Sequence, residues 1–221
     1  MEFLSTSIGR KIVMAVTGLS MVLFTVIHLL GNSSIFVGPS GINAYAEHLH
    51  SMPLPIIMIF RAIMLALLVV HVVYGIQLTL ENRGGRPSDY AVKSTQKATF
   101  ASENMIWTGL LLLAFIVYHL LHFTFRVTPG LTLVNDASGH FDVFKMVASS
   151  FSSFAGAGIY AAAMVVLFMH LYHGIQSLFQ TFGLASDKSL PTITKGGALV
   201  ALVLFLGFVA IPMSIFFGII K

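Results

Sequence analysis

The 221-residue chain contains no cysteine, which excludes protein-held iron–sulfur clusters, thioether-linked haem and disulfides in one step. It is almost as poor in charge: only 9% of residues are Asp, Glu, Lys or Arg, against 57% hydrophobic, and the mean hydropathy is +0.90. A soluble domain does not have that balance, so the chain is expected to be an integral membrane protein. Its pI near 9.5 would suit a nucleic-acid partner, but the basic residues stand between apolar runs and form no single patch. They speak about topology, and no nucleic-acid partner is expected. Any redox group has to be held by histidine or methionine.

Hydropathy gives five spans, at about 12–31, 56–81, 104–127, 155–182 and 197–219, each reaching the ~20 residues that a bilayer requires. All should be helices, since lipid cannot satisfy bare backbone groups. Residues 1–221 are taken as a single membrane domain. The first span follows Arg10-Lys11 with no small-residue cleavage site after it, and is expected to stay in the mature protein. Arg10, Lys11, Arg83, Arg86, Lys93, Lys97, Lys188 and Lys195 fall on one side of the spans, and Arg61, Arg126, Lys145 and Lys221 on the other. The excess places the N-terminus in the cytoplasm. Residues 31–55, with a polar turn at 43–50, and residues 128–153 are then external loops.

The spans repeat. Thr17-Gly18-Leu19, Phe24 and His28 in the first recur as Thr108-Gly109-Leu110, Phe115 and His119 in the third. His71-x-x-x-Gly75-Ile76-Gln77 in the second recurs as His170-x-x-x-Gly174-Ile175-Gln176 in the fourth. Two copies of a two-helix unit run in the same direction, and the fifth span has no histidine. The repeat selects His119 over His122 and His170 over His173, pairs that helical spacing alone does not separate. His122 and His173 are read as core or cofactor-edge histidines bonded to backbone or to a propionate.

Depth then pairs the four. His28 lies 17 residues past Lys11 and His119 lies 16 past Glu103, about 25 Å at ~1.5 Å per residue. His71 and His170 lie 10 and 13 residues before Glu81 and Gly183, roughly 15 to 20 Å from the same side. This predicts a far tier, His28 with His119, and a near tier, His71 with His170 towards the cytoplasm. Histidines at membrane depth are costly and need partners. They can simply hydrogen-bond between helices, and a pair per tier leaves zinc short of its usual ligands. Facing imidazoles across a four-helix bundle instead suit bis-histidine haem, whose iron transfers electrons and has no open position. Gly75 and Gly174, one turn past their histidines, make room for a porphyrin, and Thr17 with Gly18 points into the bundle near the near tier.

With these residues the chain resembles the dihaem cytochrome b membrane anchor, single-subunit and five-helix, of bacterial succinate dehydrogenases and fumarate reductases. The marks are Thr-Gly-x9-His in spans one and three, His71-x-x-x-Gly75, and His170-Leu-Tyr-His-Gly174 followed by Phe182-Gly183. The resemblance implies an all-α membrane protein of five transmembrane helices, four of them a dihaem bundle, in the bacterial inner membrane. It implies two haem b: His71 and His170 on the proximal, His28 and His119 on the distal. It also implies a flavoprotein subunit with FAD and an iron–sulfur subunit on the cytoplasmic side, where the dicarboxylate chemistry resides. The chain's own task would be electron exchange with quinone, menaquinone being expected, near the outer face. Glu47, with His48 second, is the candidate proton acceptor there. Arg10 and Lys11 are candidates for proximal haem propionates. Some relatives carry a glutamate two residues before the fourth ligand as a proton path; Phe168 stands there in this chain. Alternatives are the cytochrome b of a hydrogenase, formate dehydrogenase or nitrate reductase, and a histidine-dependent proton or metal transporter.

Overall fold

The structure, a computed structural model, describes residues 6–85 and 100–221. Arg86, Lys93 and Lys97, three of the basic residues counted for topology, lie outside the described residues. In chain order the helices are α1 (Ser7–Asn32), extended by a 3-10 segment Ser33–Val37, then α2 (Pro39–Ser51), α3 (Leu54–Gly84) and a single turn α4 (Phe100–Glu103). There follow α5 (Met105–His119), extended by a π-helical turn Leu120–Thr124, then α6 (Val143–Phe151), α7 (Phe154–Thr181) and α8 (Leu190–Phe216). Among the described residues the only strand-like feature is one bridge between Asn135 and Phe141.

Five of these helices, α1, α3, α5, α7 and α8, are long and apolar enough to cross a membrane. They match the five expected spans: α1, α3 and α8 begin earlier, where polar first turns are helical too, while α5 with its π-helical turn and α8 end a few residues short. The Thr6 side chain accepts from the Gly9 amide at the start of α1, Ser153 accepts from Gly156 at the start of α7, and Pro191 sits in the first turn of α8. At the end of α7, Gly183 takes φ 71°, and the Leu184 amide reaches back to the Phe179 carbonyl at 3.0 Å, a left-handed stop that favours glycine.

Both stretches expected as loops contain helix. Residues 43–50, expected as a polar turn, lie inside α2, which Pro39 starts and whose Ile42 is buried. Segment 128–153 contains α6, with Phe144, Met146, Val147 and Phe151 buried. Polar composition hid an amphipathic pattern whose apolar face has a partner. These two short helices, with Ile35, Tyr160, Ile211 and Ile215, form the core at the end of the bundle where α1 finishes. A second cluster, Leu29, Leu171, Ala201 and Leu204, joins α1 and α7 to α8. The helices α1, α3, α5 and α7 carry the four repeat-selected histidines, and α3 has Leu78 as its buried residue.

Asp142 locks the short helices together. Its buried Oδ1 accepts from the Lys145 amide (3.0 Å) and from Asn43 Nδ2 (3.1 Å), while Asn43 Oδ1 accepts from the Phe144 amide (2.9 Å). Burial alone would raise the Asp142 pKa, but these hydrogen bonds and the Lys145 ammonium outweigh it and hold it below the ordinary 3.8. A carboxyl whose folded value is depressed stabilises the fold above its unfolded value and loses that contribution as pH falls through the folded one. Asp142→Asn is therefore expected to lower the melting temperature of the purified protein at pH 7, by a loss on the order of 1–3 kcal/mol. The difference from wild type should shrink as the pH is taken below about 4; a pH-independent difference would remove the carboxylate's charge from this account.

Candidate functional site

The four repeat-selected histidines meet in two pairs. The His28 and His119 rings lie 5.8 Å apart between centroids, and the His71 and His170 rings 6.3 Å apart. Each pair joins equivalent helices of the two copies: α1 with α5, and α3 with α7.

In the near pair both rings are held through Nδ1. The Thr17 hydroxyl lies 3.2 Å from His71 Nδ1, and the Thr108 hydroxyl lies 3.2 Å from His170 Nδ1. Each threonine also donates within its own helix, Thr17 to the Val13 and Met14 carbonyls and Thr108 to Met105. The Met14 carbonyl adds an acceptor at 3.2 Å from His71 Nδ1. A ring whose Nδ1 donates to oxygen is fixed in the tautomer with a lone pair on Nε2, the form that ligates metals. The glycine next to each threonine completes the contact. A Cβ on Gly18 would stand 3.2 Å from His71 Cε1, and one on Gly109 would stand 3.3 Å from His170 Cε1. So Thr-Gly serves the histidine of the next membrane-spanning helix, although in sequence Thr17 falls on one stripe with His28.

Gly75 and Gly174 behave differently. A Cβ on Gly174 would meet nothing within 4 Å, and one on Gly75 only Met14 Sδ at 3.9 Å. Packing within the chain gives no reason for glycine at either place.

The far pair is less symmetrical. Asn32 places its amide nitrogen 3.3 Å from His28 Nδ1 while donating to the His28 carbonyl at 2.8 Å. His119 Nδ1 faces the Tyr160 hydroxyl at 3.3 Å. The same hydroxyl lies 3.0 Å from Nδ1 of His122, which is buried. His122, expected to bond backbone or propionate, bonds a side chain. The two rings stand three residues apart on one face, where the α-helix passes into a π-helical turn at Leu120–Thr124, and both reach Tyr160. Neither Tyr160 nor the turn stands out in the repeat: ten residues before the fourth-span histidine is Tyr160, and ten before the second-span one is Arg61.

At the near end Arg10 pairs with Glu81, Nη2 to Oε2 2.8 Å, and its Nε is buried without a hydrogen-bond partner among the described residues. Arg126 Nε and Thr128 Oγ1 are likewise buried and unpartnered past the far pair, with the Arg126 guanidinium 3.8 Å over the Phe141 ring. Burial pushes the Arg126 pKa down. Glu47, on α2, lies 3.5 Å from His140 Nδ1, with both side chains about half exposed. They line a cleft of about 850 Å³ with Asp136, Lys145 and Lys221, and none of the four paired histidines lines it. Phe168 packs against Tyr172 and Phe205.

Five apolar helices thus enclose two stacked imidazole pairs. Comparison with known protein families matches residues 88–211, more than half of the chain, to the succinate dehydrogenase/fumarate reductase transmembrane subunit. The chain belongs to that family. No curated protein and no solved structure gives a match. As a succinate dehydrogenase/fumarate reductase transmembrane subunit, the chain is a multi-pass membrane component of an oxidoreductase complex. The match takes in His119 and His170; His28 and His71 are tied to them by the internal repeat and by the ring pairings.

Proposed function

We propose that this transmembrane subunit is a dihaem cytochrome b that carries electrons between quinone and iron–sulfur and flavin subunits docked at the near end. The carrying observation is the duplicated clamp of the near pair, in which equivalent threonines face Nδ1 of both His71 and His170. A hydrogen-bonding role between helices would use either ring nitrogen; a clamp on Nδ1 in both copies reserves Nε2 for a ligand. The open glycine faces at 75 and 174 and the unpartnered Nε of Arg10 towards the near end fit a flat, carboxylate-bearing group.

His71 and His170 would hold the near haem, with Arg10 towards its propionates, and His28 and His119 the far haem. Bound there, each would supply one-electron transfer at an iron with no free coordination position. Gly18 and Gly109 keep the near rings in place. Quinone, menaquinone being the expected type, would exchange electrons at the far end, where Glu47 and its partner His140 offer a proton acceptor. With Phe168 in place of a glutamate, protons taken up or released there would have no return path on α7, and turnover would be coupled to the potential across the bacterial inner membrane.

The test is a reduced-minus-oxidised spectrum of the complex purified through this chain, with the co-purifying subunits sequenced. Two b-type haems per chain, together with a flavoprotein and an iron–sulfur protein, are expected. A colourless preparation, or one whose haem survives removal of all four paired histidines, would overturn the reading.

A further inference from the structure

We infer that Tyr160 and His122 are positioning residues for the far haem, forming a buried hydrogen-bonded chain that holds His119 and sets the far potential independently of the near one. This rests on the proposed dihaem reading. When Nε2 of His119 is the ligating atom, its Nδ1 carries the proton and donates to the Tyr160 hydroxyl oxygen, 3.3 Å away. That hydroxyl then has one proton to give, and His122 Nδ1 stands 3.0 Å from it. The direction of the whole chain follows: His119 to Tyr160 to His122.

The setting makes the chain consequential. Tyr160 and His122 are 7% and 6% exposed, and the Tyr160 ring is boxed by Phe115, Phe123 and Phe151 at 5.1, 5.5 and 4.8 Å. In such surroundings a hydrogen bond is strong and an unmet donor costly. The first copy has no equivalent. Gly31 occupies the place of His122 after the shared His-Leu-Leu, the Tyr45 ring packs directly on it, and the Asn32 amide nitrogen lies 3.3 Å from His28 Nδ1 and 3.4 Å from Nε2. The far site is therefore asymmetric, while the near site has matching threonines on both sides.

An acceptor on Nδ1–H makes the imidazole a stronger electron donor and favours oxidised iron. Removing the Tyr160 hydroxyl should shift the far haem about tenfold towards the reduced form, which for one electron is an upward move of about 59 mV. The experiment is a redox titration of the purified complex followed in the haem absorption bands, with the far component identified as the one lost in His28→Ala. Tyr160→Phe should raise that component and leave the other unmoved. His122→Leu, which removes the terminal acceptor, should move it the same way, and His122→Asn, whose amide oxygen can accept, should restore it. If Tyr160→Phe does not assemble, the contrast between His122→Leu and His122→Asn decides. Two haems with unchanged potentials in these variants, or an equal shift of both, would overturn the inference and leave the dihaem reading standing. A wild-type complex without haem would overturn both.

Discussion

His170→Ala is expected to leave the purified complex with half its haem, and the spectral component lost should be the one lost in His71→Ala. His28→Ala and His119→Ala should remove the other component. The pairing follows from the ring distances, 6.3 Å in one pair and 5.8 Å in the other, each pair drawn from equivalent helices. Losing one of two axial imidazoles leaves an iron site without the ligand that fixes it in an apolar bundle, so loss of the group, or conversion to a high-spin spectrum, is the expected scale of effect. Anchoring and assembly should survive in each single variant, because the hydrophobic clusters that hold α8 and the short helices contain none of these four residues. Haem content by pyridine haemochrome, alongside the subunit ratio on a gel, checks this. If His28→Ala and His71→Ala gave the same spectral loss, the two tiers would be wrong.

The second large effect concerns glycine. Gly174→Leu should abolish the near haem and leave the helical fold intact, since a Cβ at that place meets nothing within 4 Å. Gly109→Leu should also lose the haem, for a different reason. Its Cβ already stands 3.3 Å from His170 Cε1, so the larger side chain displaces the ring and strains the packing by roughly 1–3 kcal/mol. Thermal melting by circular dichroism separates the two: Gly174→Leu should match a wild type stripped of haem, and Gly109→Leu should melt below it. Full haem retention in Gly174→Leu would show that the glycine faces no bound group.

How much of this was legible in the sequence follows from the reach of each signal. The five spans come from composition over about twenty residues, and the helices appear where hydropathy placed them. Pairing by depth was legible because the rise of a helix converts residue number into height, and duplicated motifs put equal numbers on both halves. The partner on the other nitrogen of each ring was not. Thr17 shares a stripe with His28 in sequence, yet it touches His71, because α1 presents that stripe to α3. Arg10 carries an expected positive charge at the membrane boundary, but only the packing of α1 on α3 brings Glu81 to it. Glu47, expected in a polar turn, lies inside a helix, and His140, its partner, comes from a segment some ninety residues away.

By itself, then, the sequence determined the membrane class, the number of membrane-spanning helices, the repeat and the relative heights of four histidines, all of which depend on local composition and on the fixed pitch of a helix. The tertiary structure alone decided which polar group faces each ring, that His119 and His122 share the Tyr160 hydroxyl, and that the far pair lacks the matching threonines of the near pair. Those features depend on how helices rotate and cross, and no one segment carries that information, because it is settled only when all the faces are packed against each other.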